Sequence, residues 1–106
     1  MNKLDVTCFQ IISNVGSAKS MYMQAIQLAK NNKIQEAKDK VLEGEQIFNE
    51  GHKVHHNLIT MMANGEKIDI DLLLLHAEDQ LINTEMFNLV TKEIIELYER
   101  LTKNNI

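Results

Sequence analysis

The sequence predicts an all-α protein whose protomer is a three-helix antiparallel bundle and which associates with copies of itself. Three observations predict it. Proline is absent, and only 5% of the 106 residues are aromatic, a composition that favours long helices over sheets. Apolar residues recur at alternating spacings of three and four through three long segments. The third of these segments is apolar over more of its circumference than two neighbouring helices can cover.

The first stripe runs Leu4, Cys8, Ile11, Val15, Ala18, Tyr22, Ala25 and Ala29. It stops at Lys30-Asn31-Asn32, where the amides can cap and turn. Asn32 with Gln35 resembles a capping box that opens a second helix. That helix carries Ile34, Ala37, Val41, Gly44, Phe48, Gly51, His55, Leu58 and Met62 on one face. A glycine inside a helix costs roughly 1 kcal/mol relative to alanine, so Gly44 and Gly51 imply a neighbouring helix at close approach. Asn64-Gly65 closes the second helix, with glycine free to take the left-handed cap conformation. Asp69 or Asp71 caps the third, which extends to about Thr102 and leaves Asn104-Asn105 as a frayed tail.

In the third segment the polar arc is narrow: Glu78, Glu85, Lys92, Glu96 and Lys103. Leu72, Leu75, Ile82, Met86, Val90 and Leu97 form one apolar stripe, and Leu73, Leu74, Ala77, Leu81 and Ile95 fill much of the rest. A homo-oligomer with this helix central to its interface accounts for the excess. No repeat, linker or composition shift divides the chain, so residues 1-106 read as a single domain.

Composition also excludes. The net charge of −4 offers no basic surface for nucleic acid. The longest apolar run, Leu72 to Leu75, is too short to span a bilayer, and the N-terminus lacks the apolar core of a signal peptide, so no membrane insertion is expected. The single cysteine, Cys8, cannot form an internal disulfide and sits on an apolar stripe as a small core residue. The chain reads as reduced and cytoplasmic.

Chemistry concentrates in "DLLLLHAEDQL", residues 71–81. Asp79 lies within the stripe of Leu75, Ile82 and Met86. A carboxylate buried there must be protonated, paired across subunits, hydrated at a seam, or bound to a metal. An all-oxygen site of converging copies suits Mg²⁺ or Ca²⁺ better than zinc. His76 lies one turn earlier. It is either an amphipathic residue at the edge of a core or a nucleophile whose neutral imidazole can accept and pass on a phosphoryl group. His52 and His56 have the i, i+4 spacing of zinc ligands, but they lack a third ligand and the glutamate of H-E-x-x-H. With His55 they read as surface or seam histidines.

Three segments carry a family resemblance. "QIISNVGSAKSMYMQAIQLAK" is similar to the first helix of the lactose/cellobiose class of phosphotransferase-system enzyme IIA proteins. "GEKIDIDLLLLHAEDQL" is similar to the loop and third-helix segment bearing that class's phosphorylated histidine, and Gly44 to Lys53 follows the second-helix pattern. The resemblance spans roughly Val6 to Leu101. It implies a homotrimeric bundle in which His76 receives phosphate from phospho-HPr and passes it to a cysteine of enzyme IIB. That transfer would serve uptake of a β-linked disaccharide of lactose, cellobiose or chitobiose type. It further implies that Asp79 gathers around a metal, commonly Mg²⁺, on the trimer axis. The family usually has a second histidine after the aspartate, where this chain has Gln80, and its members often continue with methionine, threonine and further apolar residues, where this chain reads Ile82, Asn83, Thr84 and Glu85. A non-catalytic helical adaptor or regulatory paralogue is the alternative. A two-component histidine phosphotransfer domain is disfavoured, because its histidine, two residues, lysine, glycine pattern is missing.

Overall fold

The computed structural model describes residues 2–104. Three long helices, α1 (Lys3–Lys30), α2 (Ile34–Ala63) and α3 (Leu72–Asn104), form a rod of 59 × 24 × 20 Å. Each terminus has a local cause. Asn2 caps α1, its Oδ1 accepting from the Asp5 N–H at 2.8 Å, and Asp71 caps α3, its Oδ1 accepting from the Leu74 N–H at 2.9 Å. Asp71, of the two candidate aspartates, is therefore the cap.

Both α1 and α2 end in the same way. After α1 the chain turns left-handed at Asn32 (φ 62°). The N–H of Lys33 returns to the Leu28 carbonyl at 2.9 Å and that of Asn32 to Ala29 at 3.1 Å. After α2, Gly65 (φ 87°) takes that role, with Glu66 N–H on the Met61 carbonyl at 3.1 Å and Gly65 N–H on Met62 at 3.0 Å. At each end the two bonds satisfy carbonyls that the helix would leave unpaired. Asn32 thus terminates α1 and does not cap α2. Lys33 stands at the α2 N-cap with no side-chain bond, and Gln35 donates to Asp39 instead. The expected capping box is absent because asparagine tolerates the left-handed conformation that the tight turn requires. Asn104 is helical, not frayed, while Asn105 lies outside the described residues.

α1 is the central helix, packing far more extensively on α2 and on α3 than those two pack on each other. Its expected stripe is buried from Cys8 to Ala29, joined by Ile26. Two apolar clusters follow along the rod. One contains Cys8, Ile11, Val15, Leu58, Leu74, Ala77 and Leu81. The other contains Ala18, Tyr22, Ala25, Ala29, Ala37, Val41 and Ile95. Phe48 packs against both. On α2, Met62 departs from its stripe and is exposed. The α2–α3 seam is instead polar. Lys38 pairs with Glu99 at 2.9 Å, Lys92 with Glu45 at 2.6 Å, Asn88 donates to Glu45 at 2.9 Å, and His55 meets Glu78. Their antiparallel order fixes the register of the two helices. Burial pushes the Glu45 carboxyl up, yet the hydrogen bonds from Lys92 and Asn88 and the lysine's charge outweigh it, leaving Glu45 below its usual range.

The helical glycines permit the closest approaches. A Cβ on Gly44 would lie 2.6 Å from Cε1 of Tyr22 and 3.1 Å from Cβ of Met21, whereas one on Gly51 would meet Asn14 Cβ at 3.2 Å. Tyr22 is fully buried and cannot swing aside. Burial, with the Glu45 charge, pushes its phenol up to about 12. Gly44→Ala should therefore destabilise by about 1–3 kcal/mol through overpacking, despite the roughly 1 kcal/mol that alanine adds to helix propensity. Gly51→Ala should come out near neutral. Urea unfolding checks both, and a Gly44→Ala protein as stable as wild type would refute the close packing.

Candidate functional site

The first turns of α3 present three consecutive kinds of side chain. Leu74, Ala77 and Leu81 point into the core, in one cluster with Cys8, Ile11 and Val15 of α1 and Leu58 of α2. His76 and Asp79 are exposed. At about 100° per residue they lie some 60° apart around the axis, so they share one flank. Glu78 turns the other way, towards α2, where Nδ1 of His55 lies 2.7 Å from its Oε1 and 2.6 Å from its Oε2.

Around Asp79 the chain leaves a large apolar face uncovered. Leu72 is 82% exposed, Leu75 56%, Ile82 63% and Met86 60%, and the face continues through Leu89, Val90 and Leu97. Each stripe residue named from the sequence is on it. Isolated exposed apolar residues are ordinary, but a contiguous face of this length marks an interaction surface. Asp79 sits in its middle. None of the ion pairs among the described residues includes Asp79. In a single chain its carboxylate is solvated; only a partner on this face would bury it.

The other candidates are placed as surface or core groups. His52 and His56 are exposed and His55 is half-buried. The His52 ring stacks on Phe48 with centroids 6.2 Å apart and stands 5.9 Å from the ring of His55. Among the described residues no group of three or more His, Cys, Asp or Glu could hold a metal within one chain. Cys8 is fully buried. Burial, and then the charges of Asp71, Asp5 and Glu78, raise its thiol above the usual value, so it is an inert core residue.

Two features were not evident from the sequence. Glu78, expected on the solvent arc, is half-buried against α2. Thr84 and Thr91 are almost fully buried on the inner face of α3, where apolar residues would be looked for; the Thr91 hydroxyl is satisfied by the Phe87 carbonyl at 2.7 Å. The signal for Glu78 existed: it lies four residues after Leu74 and three before Leu81, on the edge of the inner seam.

His76 thus stands on an open helix flank, and its ring is engaged by none of the hydrogen bonds or ion pairs among the described residues. The groove lined by Lys38, Leu42, Glu45, Lys92 and Glu99 lies towards the opposite end of the rod. An accessible imidazole on such a surface suits a group passed between proteins better than turnover of a small molecule in a cavity.

A sequence profile described as "PTS system, Lactose/Cellobiose specific IIA subunit" matches residues 6–99. The chain belongs to this family. It is 36% identical over 101 residues to the lichenan-specific phosphotransferase enzyme IIA component of Bacillus subtilis, covering 95% of this chain and 92% of that one. The crystal structure of the cellobiose-specific enzyme IIA from Bacillus anthracis superposes with a TM-score of 0.94 at 37% identity, covering 97% and 94% of the two chains. A solution structure of the chitobiose IIA–HPr complex from Escherichia coli matches with a TM-score of 0.79 at 27% identity, covering 96% and 99%. The protein is accordingly a IIA component, a phosphotransferase-system protein of the lactose/cellobiose type. No helix among the described residues is long and apolar enough to cross a membrane.

Proposed function

We propose that this IIA component carries phosphate on His76, accepting it from phospho-HPr and passing it to a cysteine of enzyme IIB. The transfers would drive uptake and phosphorylation of a β-linked disaccharide. The observation that carries the reading is the exposed His76 imidazole within "HAEDQ", on a helix whose outer face its own chain leaves open. The existence of a HPr complex for the chitobiose relative supports HPr as donor.

In the first step a neutral imidazole nitrogen attacks phosphorus in line, the new N–P bond forming as the donor's bond to phosphorus breaks. In the second a thiolate of enzyme IIB attacks, and the N–P bond breaks to return the imidazole. Little covalent chemistry is required of the protein, so positioning and electrostatics carry the acceleration. His76 lies beyond the first turn of α3, so the helix dipole contributes little. Gln80 can donate a hydrogen bond to phosphate oxygens but cannot carry the charge that a histidine there would bring.

The uncovered face of α3 fits assembly with two further copies as a homotrimer, with three Asp79 carboxylates gathered at the axis. One chain alone supplies no metal cluster, but three converging carboxylates form a donor set suited to a hard cation such as Mg²⁺. The cation would offset their mutual repulsion and would take no part in the transfer itself. Cytoplasmic placement accords with such a role.

Two experiments test the reading. After incubation with phosphoenolpyruvate, enzyme I and HPr, phosphopeptide mapping should find an acid-labile phosphate on His76 alone. Comparable label on His52, His55 or His56, or label persisting in His76→Ala, would contradict it, and an unlabelled wild-type protein would favour a non-catalytic adaptor. Thermal unfolding with Mg²⁺ and with chelator tests the metal. At about 100 times its dissociation constant a cation bound only to the assembled protein adds roughly 2.7 kcal/mol. Asp79→Leu and Asp79→Asn should both lose this response, with the leucine variant the more stable because it removes charge and desolvation cost together. A wild-type melting temperature indifferent to chelator would exclude the cation.

A further inference from the structure

We infer that His55 and Glu78 are positioning residues for His76, their hydrogen bond pinning the back of the helical turn whose front presents the imidazole. The inference rests on His76 being the phosphorylated residue. Glu78 follows His76 by two positions, about 200° around the helix, so the two side chains leave the same turn on nearly opposite sides. Fixing Glu78 fixes the rotation of the turn, and with it the direction of His76.

The start of α3 needs such a constraint. The helix follows an exposed connection, residues 64–71, in which only Ile68 is half-buried. Leu74, Ala77 and Leu81 hold its first turns in one apolar cluster with Cys8, Ile11 and Val15 of α1 and Leu58 of α2; the His55–Glu78 bond adds the directional contact. On the α2 side His55 meets Glu78, whereas the ties of Glu45 to Asn88 and Lys92 and of Lys38 to Glu99 lie progressively further along α3. His55 is itself braced, because its ring stands 5.9 Å from that of His52, which stacks on Phe48 at 6.2 Å. A row of rings thus runs from Phe48, which packs on both core clusters, to the carboxylate on the back of the turn that carries His76. Both side chains of the pair are about three-quarters covered. Contacts of this kind add little net stability but can fix one arrangement among several.

In-line transfer is sensitive to direction, and a displacement of about 1 Å can cost two orders of magnitude. The test is transfer from phospho-HPr, followed by rapid quench over a range of donor concentrations. Glu78→Leu and His55→Leu each remove the bond, from opposite sides, and keep bulk on the seam. Glu78→Gln keeps an acceptor for the Nδ1–H, and Lys38→Gln cuts an α2–α3 tie at the far end. Both leucine variants should show a kcat lowered about tenfold with the KM for phospho-HPr within about twofold of wild type. Glu78→Gln and Lys38→Gln should transfer at close to the wild-type rate. Should Glu78→Leu not fold, His55→Leu reads the same bond alone.

Leucine variants within twofold of wild type would overturn the inference, as would a change confined to KM or a glutamine variant as slow as the leucine ones. Wild-type protein unlabelled at His76 would overturn the phosphocarrier reading, and this inference with it.

Discussion

Helix α3 carries two seams, and its own chain can cover only one. The inner seam, through Leu74, Ala77, Leu81, Thr84, Thr91 and Ile95, packs within the bundle. The outer one, through Leu72, Leu75, Ile82, Met86 and Leu97, is left mostly exposed by its own chain. Burial of apolar surface contributes roughly 25 cal/mol per Å², so an uncovered stripe of large side chains along a helix of 33 residues is a strong drive towards association. His76 and Asp79 belong to this outer side. The proposed chemistry and assembly therefore depend on a single fact of geometry, namely which way α3 is turned.

The rest of the protomer sets that turn. α1 lies against both other helices, and small residues let them approach: Ala18, Ala25 and Ala29 on α1, Ala37, Gly44 and Gly51 on α2. Such close packing has few alternatives in register. Along the looser α2–α3 seam, orientation is supplied by polar pairs instead. An apolar seam there would add stability but would discriminate less well between neighbouring rotations, which matters for a helix whose far side carries His76, the proposed nucleophile.

Much of this was legible in the residues because strict spacing of three and four leaves little choice of face. The α1 stripe from Cys8 to Ala29, the close approach at Gly44, the left-handed cap at Gly65 and the Asp71 N-cap all follow from local rules. The misreadings have equally local causes. Asn32 has two talents, capping a helix start and adopting positive φ, and the turn required the second. The charge of Glu78 points to solvent, although its spacing from Leu74 and Leu81 brings it beside α2. Thr84, Asn88 and Thr91 are polar residues at inward-facing positions, which an apolar stripe does not pick out. Which of the two α3 seams faces inward is not a property of α3 alone; it depends on packing by α1.

The proposed assembly requires the outer face of α3 to be a self-association surface with Asp79 within it. Sedimentation equilibrium at micromolar concentration measures this most directly, with Ile82→Glu placing a second charge on the face for comparison. A homotrimer for the wild-type protein, dissociated by Ile82→Glu, is the predicted result. A wild-type monomer that stays helical and unfolds cooperatively would contradict the account.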